Sequence, residues 1–157
     1  MSMSPEECAH EVLETVLLLM HSVYAEVKSR RTLDLSVSQF RALSYLELYP
    51  GASLSEVAEH LAIALPSASK LADILVEGNL VARQTSRTDR RRITLTLTAQ
   101  GTSMLQSVRQ RVQAHMAERV AALPEAERGT VIQAMQALRS VFARVQRMEA
   151  GTAQGRP

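Results

Sequence analysis

Apolar positions at the start of the chain recur with a helical period. Val12, Val16, Leu19, Val23 and Val27 fall on one stripe, and Leu13, Leu17, Met20 and Tyr24 widen it. This pattern predicts a helix from about Pro5 to Arg31. So broad a face needs more than one neighbour, which leaves two readings open: a core helix, or a helix that also crosses a subunit interface. The segment 30–35 breaks the period. Ser36 then opens a second helix with Gln39 three residues on, the spacing of a capping box. Val37, Phe40, Leu43 and Leu46 follow at helical spacing as far as Pro50 and Gly51.

Ser53 and Glu56 make a second capping box. The short helix they open runs to about Leu61, with Leu54, Val57, Ala58 and Leu61 inward. Ala62, Ile63 and Ala64 leave only a tight connection to the next helix. Pro66 sits in that helix's first turn, where its missing N–H costs nothing. The helix is expected to run to about Glu77, with Leu71, Ile74 and Leu75 buried. Gly78 and Asn79 end it, since Asn tolerates the left-handed conformation of a helix stop. Leu80 to Arg83 then reads as a strand. Ile93, Leu95 and Leu97 alternate with Thr94, Thr96 and Thr98, the mark of a strand with one buried face. Thr98 suits the N-cap of a long helix from about Ala99 to Ala122, with Leu105, Val108, Val112 and Met116 as its stripe. Leu123 and Pro124 break it, and a last helix carries Val131, Met135, Leu138, Phe142, Val145 and Met148. From about Glu149 the residues are small and polar, so residues 149–157 are expected to form a flexible tail.

The predicted fold is mainly α with a small β-wing: two short helices and a hairpin in the order of a winged helix-turn-helix. Residues 36–98 would form the winged-helix lobe. Residues 5–34 and 99–148 would form a helical region with too few partners inside one chain, implying dimerisation. The length of 157 residues fits one domain. Hydrophobic content of 46% with 3% aromatics implies a core of Leu, Val, Ala, Ile and Met, a palette suited to helices. A single cysteine, Cys8, excludes an intrachain disulfide and a cysteine-cluster metal site, and fits a reducing cytoplasm. The first residues lack a signal-peptide pattern, and the longest apolar run, Val16 to Met20, is far too short for a membrane span.

Net charge is only +2, so its distribution carries the information. Between Arg83 and Arg92 lie five arginines and one aspartate, a local charge of +4 at the hairpin tip. That tip suits a phosphate backbone or a narrow minor groove. Pro66, Ser67, Ser69 and Lys70 occupy the start of the preceding helix, where short side chains allow close approach to base edges. Taken alone, that helix start reads more simply as solvated surface. Its position just before a basic hairpin favours double-stranded DNA as the partner. Arg87, Arg90, Arg91 and Arg92 are the candidate wing contacts, and Asp89 the structural carboxylate that fixes the turn, paired with Arg91.

Asp89-Arg90-Arg91, followed after five residues by Leu97-Thr98 and then Gly101, resembles the D-x-R…L-T-x-x-G wing signature of the MarR family of bacterial transcription regulators. Leu80-Val81-Ala82-Arg83 is similar to that family's G-L-V-x-R strand entry, with Asn79 where the family usually has Gly. The resemblance covers roughly residues 8 to 148. It implies an obligate homodimer joined through its terminal helices, with the helix from Pro66 in the major groove and the wing in the flanking minor groove. By it, Ser67, Ser69 and Lys70 are recognition contacts, Arg91 the wing-tip arginine and Asp89 its partner. It also implies a repressor without catalytic activity, released by a small aromatic or phenolic acid. Two-fold symmetry implies a pseudo-palindromic operator with half-sites ~10 bp apart. Ala64, near the N-cap of the recognition helix, is a poor cap.

An effector cleft would be lined by the first, second and fifth helices, with His21, Tyr24, Arg41 and Tyr45 as polar candidates. Each also reads as ordinary packing or surface. Cys8 offers an alternative, thiol-based peroxide sensing, although the neighbouring Glu6 and Glu7 would raise a thiol pKa. His10 with Glu11, and His115 with Glu118, lack the paired spacing of metal ligands, so neither a metal nor another cofactor is expected. His60 reads as a solvated helix end. The rival classes are a small helical enzyme and a helical module that binds a ligand or protein but not DNA. The enzyme lacks a nucleophile with a base partner and a glycine-rich phosphate loop.

Overall fold

The computed structural model describes residues 4–29, 35–85, 89 and 92–153, with side chains as far as Ala143. The chain forms two compact units, Met1–His115 and Met116–Pro157.

The first unit begins with α1 (Pro5–Ser29) and α2 (Val37–Leu48). The Ser36 capping box forms as its spacing predicts: Gln39 N–H donates to Ser36 Oγ at 3.2 Å, and Ser36 N–H donates to Gln39 Oε1 at 2.6 Å. A two-residue strand, β1 (Ala52–Ser53), precedes α3 (Leu54–Leu61). Then come α4 (Leu65–Glu77), β2 (Val81–Thr85), β3 (Ile93–Leu97) and α5 (Ala99–Val120). The sheet is antiparallel in the order β1-β3-β2. Ala52 pairs with Leu95 and Val81 with Leu97. The sequence pattern gave no sign of β1, because two residues are too few for an alternation to show.

The core of this unit comprises Leu43, Leu46, Leu75, Val81, Leu95, Leu105 and Val108, all essentially inaccessible. The turn between α3 and α4 and the stop that ends α4 each use a left-handed residue that is not glycine. Ala62 has φ 55° and Asn79 φ 56°. At Asn79 the stop is a Schellman arrangement: Leu80 N–H donates to Leu75 O at 2.9 Å and Asn79 N–H to Val76 O at 2.9 Å.

The end of α4 is tied to the start of α5. Thr98 Oγ1 donates to Asn79 O at 2.6 Å, and Thr98 N–H donates to Leu80 O at 3.1 Å. The same Oγ1 accepts the Gly101 N–H at 2.9 Å, so Thr98 is the N-cap the sequence suggests. Gly101 has a steric role as well. A Cβ there would stand 2.0 Å from the Leu80 carbonyl oxygen.

The second unit holds the last residues of α5, a turn around Leu123 and Pro124, and α6 (Glu125–Ala153). The helix continues past Glu149, where small polar residues suggested a tail. Apolar side chains stay exposed in each unit taken by itself. In the first they include Leu13, Leu17 and Leu18 of α1, and in the second Ile132, Val141 and Phe142 of α6. Among the described residues, no helix is long and apolar enough to cross a membrane.

Replacing Gly101 with Ala should lower stability by roughly 1–3 kcal/mol, the usual cost of overpacking. Gly129, in α6, has nothing within 4 Å of its would-be Cβ. Gly129→Ala should therefore raise stability by roughly 0.5–1 kcal/mol through helix propensity alone. Denaturant midpoints of the two variants should move in opposite directions.

Candidate nucleic-acid interface

Small residues set how α4 sits. Ala68, Ala72 and Leu75 are its buried positions, and the two alanines let it lie close against α2 and α3. Leu71 is only half-buried. Ile74, expected inside, is 52% exposed. The apolar spacing at 71, 74 and 75 predicts the inner stripe, but the inner stripe is 68, 72 and 75. Alanines carry a weak hydrophobic signal, which the larger Leu71 and Ile74 beside them mask in the pattern.

Pro66, Ser67 and Lys70 stand on the exposed side, as do Asp73 and Glu77, while Ser69 is half-buried. Ala64 occupies the N-cap in an extended conformation and makes no side-chain cap hydrogen bond. The first turn of α4 therefore has no side-chain acceptor from its own cap residue, whose carbonyl alone accepts the N–H groups of Ser67 and Ala68. Its positive dipole end suits an external anion.

Two ion pairs brace this helix and the hairpin. Arg83 of β2 reaches Asp73 of α4 at 2.7 Å. Arg92, just before β3, reaches Glu56 of α3 at 3.2 Å. Glu56 is also the capping-box residue of α3, accepting Ser53 N–H at 2.6 Å while Ser53 Oγ accepts Glu56 N–H at 3.2 Å. Partial burial pushes the Glu56 carboxyl upward, but the Ser53 hydrogen bonds and the Arg92 guanidinium outweigh it and hold the pKa below the ordinary glutamate value. Arg92, a candidate DNA contact in the sequence, thus has a carboxylate partner within the fold. The strands of the hairpin are further joined by Thr94 Oγ1 donating to Gln84 O at 3.2 Å. Asp89 contributes its carbonyl, which accepts Arg92 N–H at 2.9 Å. Arg87, Arg90 and Arg91, and with them the Asp89–Arg91 pair, lie outside the described residues.

The cleft candidates divide. Arg41 and Tyr45 come together one turn apart on α2, but through His60, which the sequence pattern marks as a solvated helix end. His60 stacks on Tyr45 with ring centroids 4.2 Å apart, and Tyr45 lies 4.8 Å from Tyr49. Arg41 Nη2 donates to His60 O at 3.4 Å. Partial burial, and then the neighbouring Arg41 charge, push the His60 pKa down and favour the neutral ring. Burial pushes Tyr45 up, helped by the carboxylate of Glu56, the neighbouring Tyr49 and the carboxylate of Glu59. The i, i+4 ladder of Arg41, Tyr45 and Tyr49 was the available signal for this cluster. His60 could be added only by knowing how α3 crosses α2.

His21 and Tyr24 stay on α1, the first exposed and the second half-buried. Cys8 is exposed in the first turns of α1. His115 stands 3.6 Å from Glu26. Among the described residues, no group of three His, Cys, Asp or Glu could hold a metal ion.

Residues 33–92 match the model of the MarR family. A protein of Thauera aromatica, named as the transcriptional regulatory protein proposed for the hcr operon, is 39% identical over 83 residues. That match takes in 53% of this chain, and the chain spans only about half (50%) of the relative's length. The fold is similar to YusO from Bacillus subtilis, with a TM-score of 0.64 and 24% identity over 88% of this chain and 99% of that one. It is also similar to Streptococcus pneumoniae FabT, solved in complex with DNA, with a TM-score of 0.56 and 18% identity over 89% and 96%. At these identities the two structures establish the winged-helix fold.

The Arg83–Asp73 pair is part-exposed on both sides. A double-mutant cycle with Arg83→Ala and Asp73→Ala should give a coupling of only ~0.2–1 kcal/mol, weakened further by salt. For Glu56, whose pKa is lowered on folding, the stabilisation is full above the unfolded-state value and is lost as pH falls through the folded value. Glu56→Gln keeps a capping-box residue. It should flatten the acid limb of the stability–pH curve, measured by thermal unfolding below neutral pH.

Proposed function

We propose that this chain, whose segment 33–92 matches the model of the MarR family, is a homodimeric, double-stranded-DNA-binding transcription regulator of that family, without catalytic activity. The observation that carries the reading is the outer side of α4: Pro66, Ser67 and Lys70 exposed at a helix start without a side-chain cap, beside a hairpin whose tip is arginine-rich. Lys70 and Ser67 supply groups for base edges and phosphates, with Ser69 at the margin. Arg87, Arg90 and Arg91 of the wing supply phosphate or minor-groove contacts, with Asp89 fixing the turn. Arg92 can join them only in competition with Glu56. The DNA complex of FabT supports the same use of the fold.

The homodimer is supported by the exposed apolar side chains of α1 and, separately, of α6. Repression relieved by a small aromatic or phenolic acid is the regulatory reading. Arg41 offers a cation and Tyr45 a ring for such a ligand, with His60 now beside them and His21 and Tyr24 as the α1 candidates. A thermal shift with salicylate-like acids tests it, and no shift with any compound would count against it. Peroxide sensing through Cys8 is the second regulatory reading, carried by the thiol's exposure.

Footprinting on the DNA upstream of the chain's own coding region should show a protected pseudo-palindrome. Arg91→Ala should weaken binding to all duplexes and reduce the salt slope by about one. Lys70→Ala should change sequence preference, at ~1–3 kcal/mol for a well-made base contact. Light scattering should report twice the chain mass. Parent-like binding by Arg91→Ala across a salt titration would remove the wing from the interface.

A further inference from the structure

Successive residues of an α-helix turn by about 100°, so positions three and four apart line up. On α4 this puts Ser67, Lys70 and Ile74 on one line along the exposed side. Ser67 and Lys70 are the reading residues proposed above, and Ile74 continues their line one turn further. Leu65, Ser69 and Val76 lie on the opposite edge, beyond Asp73 and its Arg83 ion pair. Ile74 is 52% exposed, whereas its neighbour Leu75 is fully buried; of the other exposed apolar side chains of α4, Leu65 and Val76 stand on the far edge, away from Lys70.

We propose that Ile74 is a specificity-determining residue that packs on the C5-methyl group of a thymine in the major groove, next to the bases met by Lys70. This rests on the DNA-binding reading of the chain. An isoleucine has no hydrogen-bonding group, so it cannot hold a phosphate or a polar base edge. The major-groove edges of the four bases display a single apolar group, the thymine methyl. Seated on any other base, the side chain would strip water from donors or acceptors and give nothing in return. Selection for thymine therefore has two parts, attraction to its methyl and rejection of the alternatives. The rise from Lys70 to Ile74 is ~6 Å at 1.5 Å per residue. Base steps are ~3.4 Å apart along a strand. The thymine should thus lie about two base pairs from the Lys70 contact.

The test uses the full chain and a duplex enriched by it from a random pool. Each thymine of that duplex is replaced, one at a time, by uracil, which keeps the pairing and removes only the methyl. At one thymine per half-site, uracil should weaken binding about fourfold, the worth of one buried methyl-sized group. Ile74→Ala should bind the thymine and uracil duplexes alike and keep the parent's salt dependence. Ile74→Val, which retains both branches at Cβ, should keep most of the discrimination. Since position 74 is outside the core, these variants should fold as the parent does. The proposal is overturned if no thymine is sensitive to uracil, or if Ile74→Ala retains the same preference. If the parent chain enriches no duplex at all, DNA binding itself fails and this inference with it.

Discussion

The contact between the Leu80 carbonyl and the first turn of α5 fixes the geometry of the winged-helix lobe. The left-handed turn at Asn79 ends α4 and aims the chain into β2. Thr98 then bonds both Asn79 and Leu80 while capping α5. Gly101 lets the helix come so close that no side chain fits between. One short segment thereby sets the exit of α4, the start of the hairpin and the direction of α5. The L-T-x-x-G run can be understood in these terms: leucine pairs into the sheet, threonine caps and ties, and glycine permits the approach.

Around that fixed point, electrostatics does lighter work. The pairs Arg83–Asp73 and Arg92–Glu56 are both part-exposed, so each contributes little to stability. What they provide is placement. One joins α4 to the hairpin and the other joins the hairpin to the start of α3. They also pair two of the five arginines between 83 and 92 with carboxylates of the fold. The first of them also offsets the negative charge of Asp73 on the outer side of α4.

The exposed side of α4 combines a hydroxyl, an ammonium group and a branched alkyl group. Such a mixture suits base edges, where polar and apolar features alternate, better than the phosphate backbone alone. On the other side of α3, the Tyr45–His60 stack beside Arg41 forms a separate aromatic and cationic cluster. A neutral imidazole there keeps the ring stacking and avoids a second positive charge next to Arg41.

Local chemistry by itself determined the order of the helices and of the two hairpin strands, both capping boxes, the helix stop at Asn79, the Thr98 cap and the arginine-rich run between those strands. Each depends on residues only a few positions apart, where spacing translates directly into hydrogen bonds. The wing signature extended that legibility to the fold. The tertiary structure decided whatever depends on which surfaces meet. It put Ile74 outside, because two alanines form the close-packed face of α4. It paired Arg92 with Glu56 across 36 positions, stacked His60 on Tyr45, and added β1 through its pairing with β3. It also gave Gly101 its reason, since a 2.0 Å approach to a carbonyl 21 residues earlier cannot be read from either segment alone.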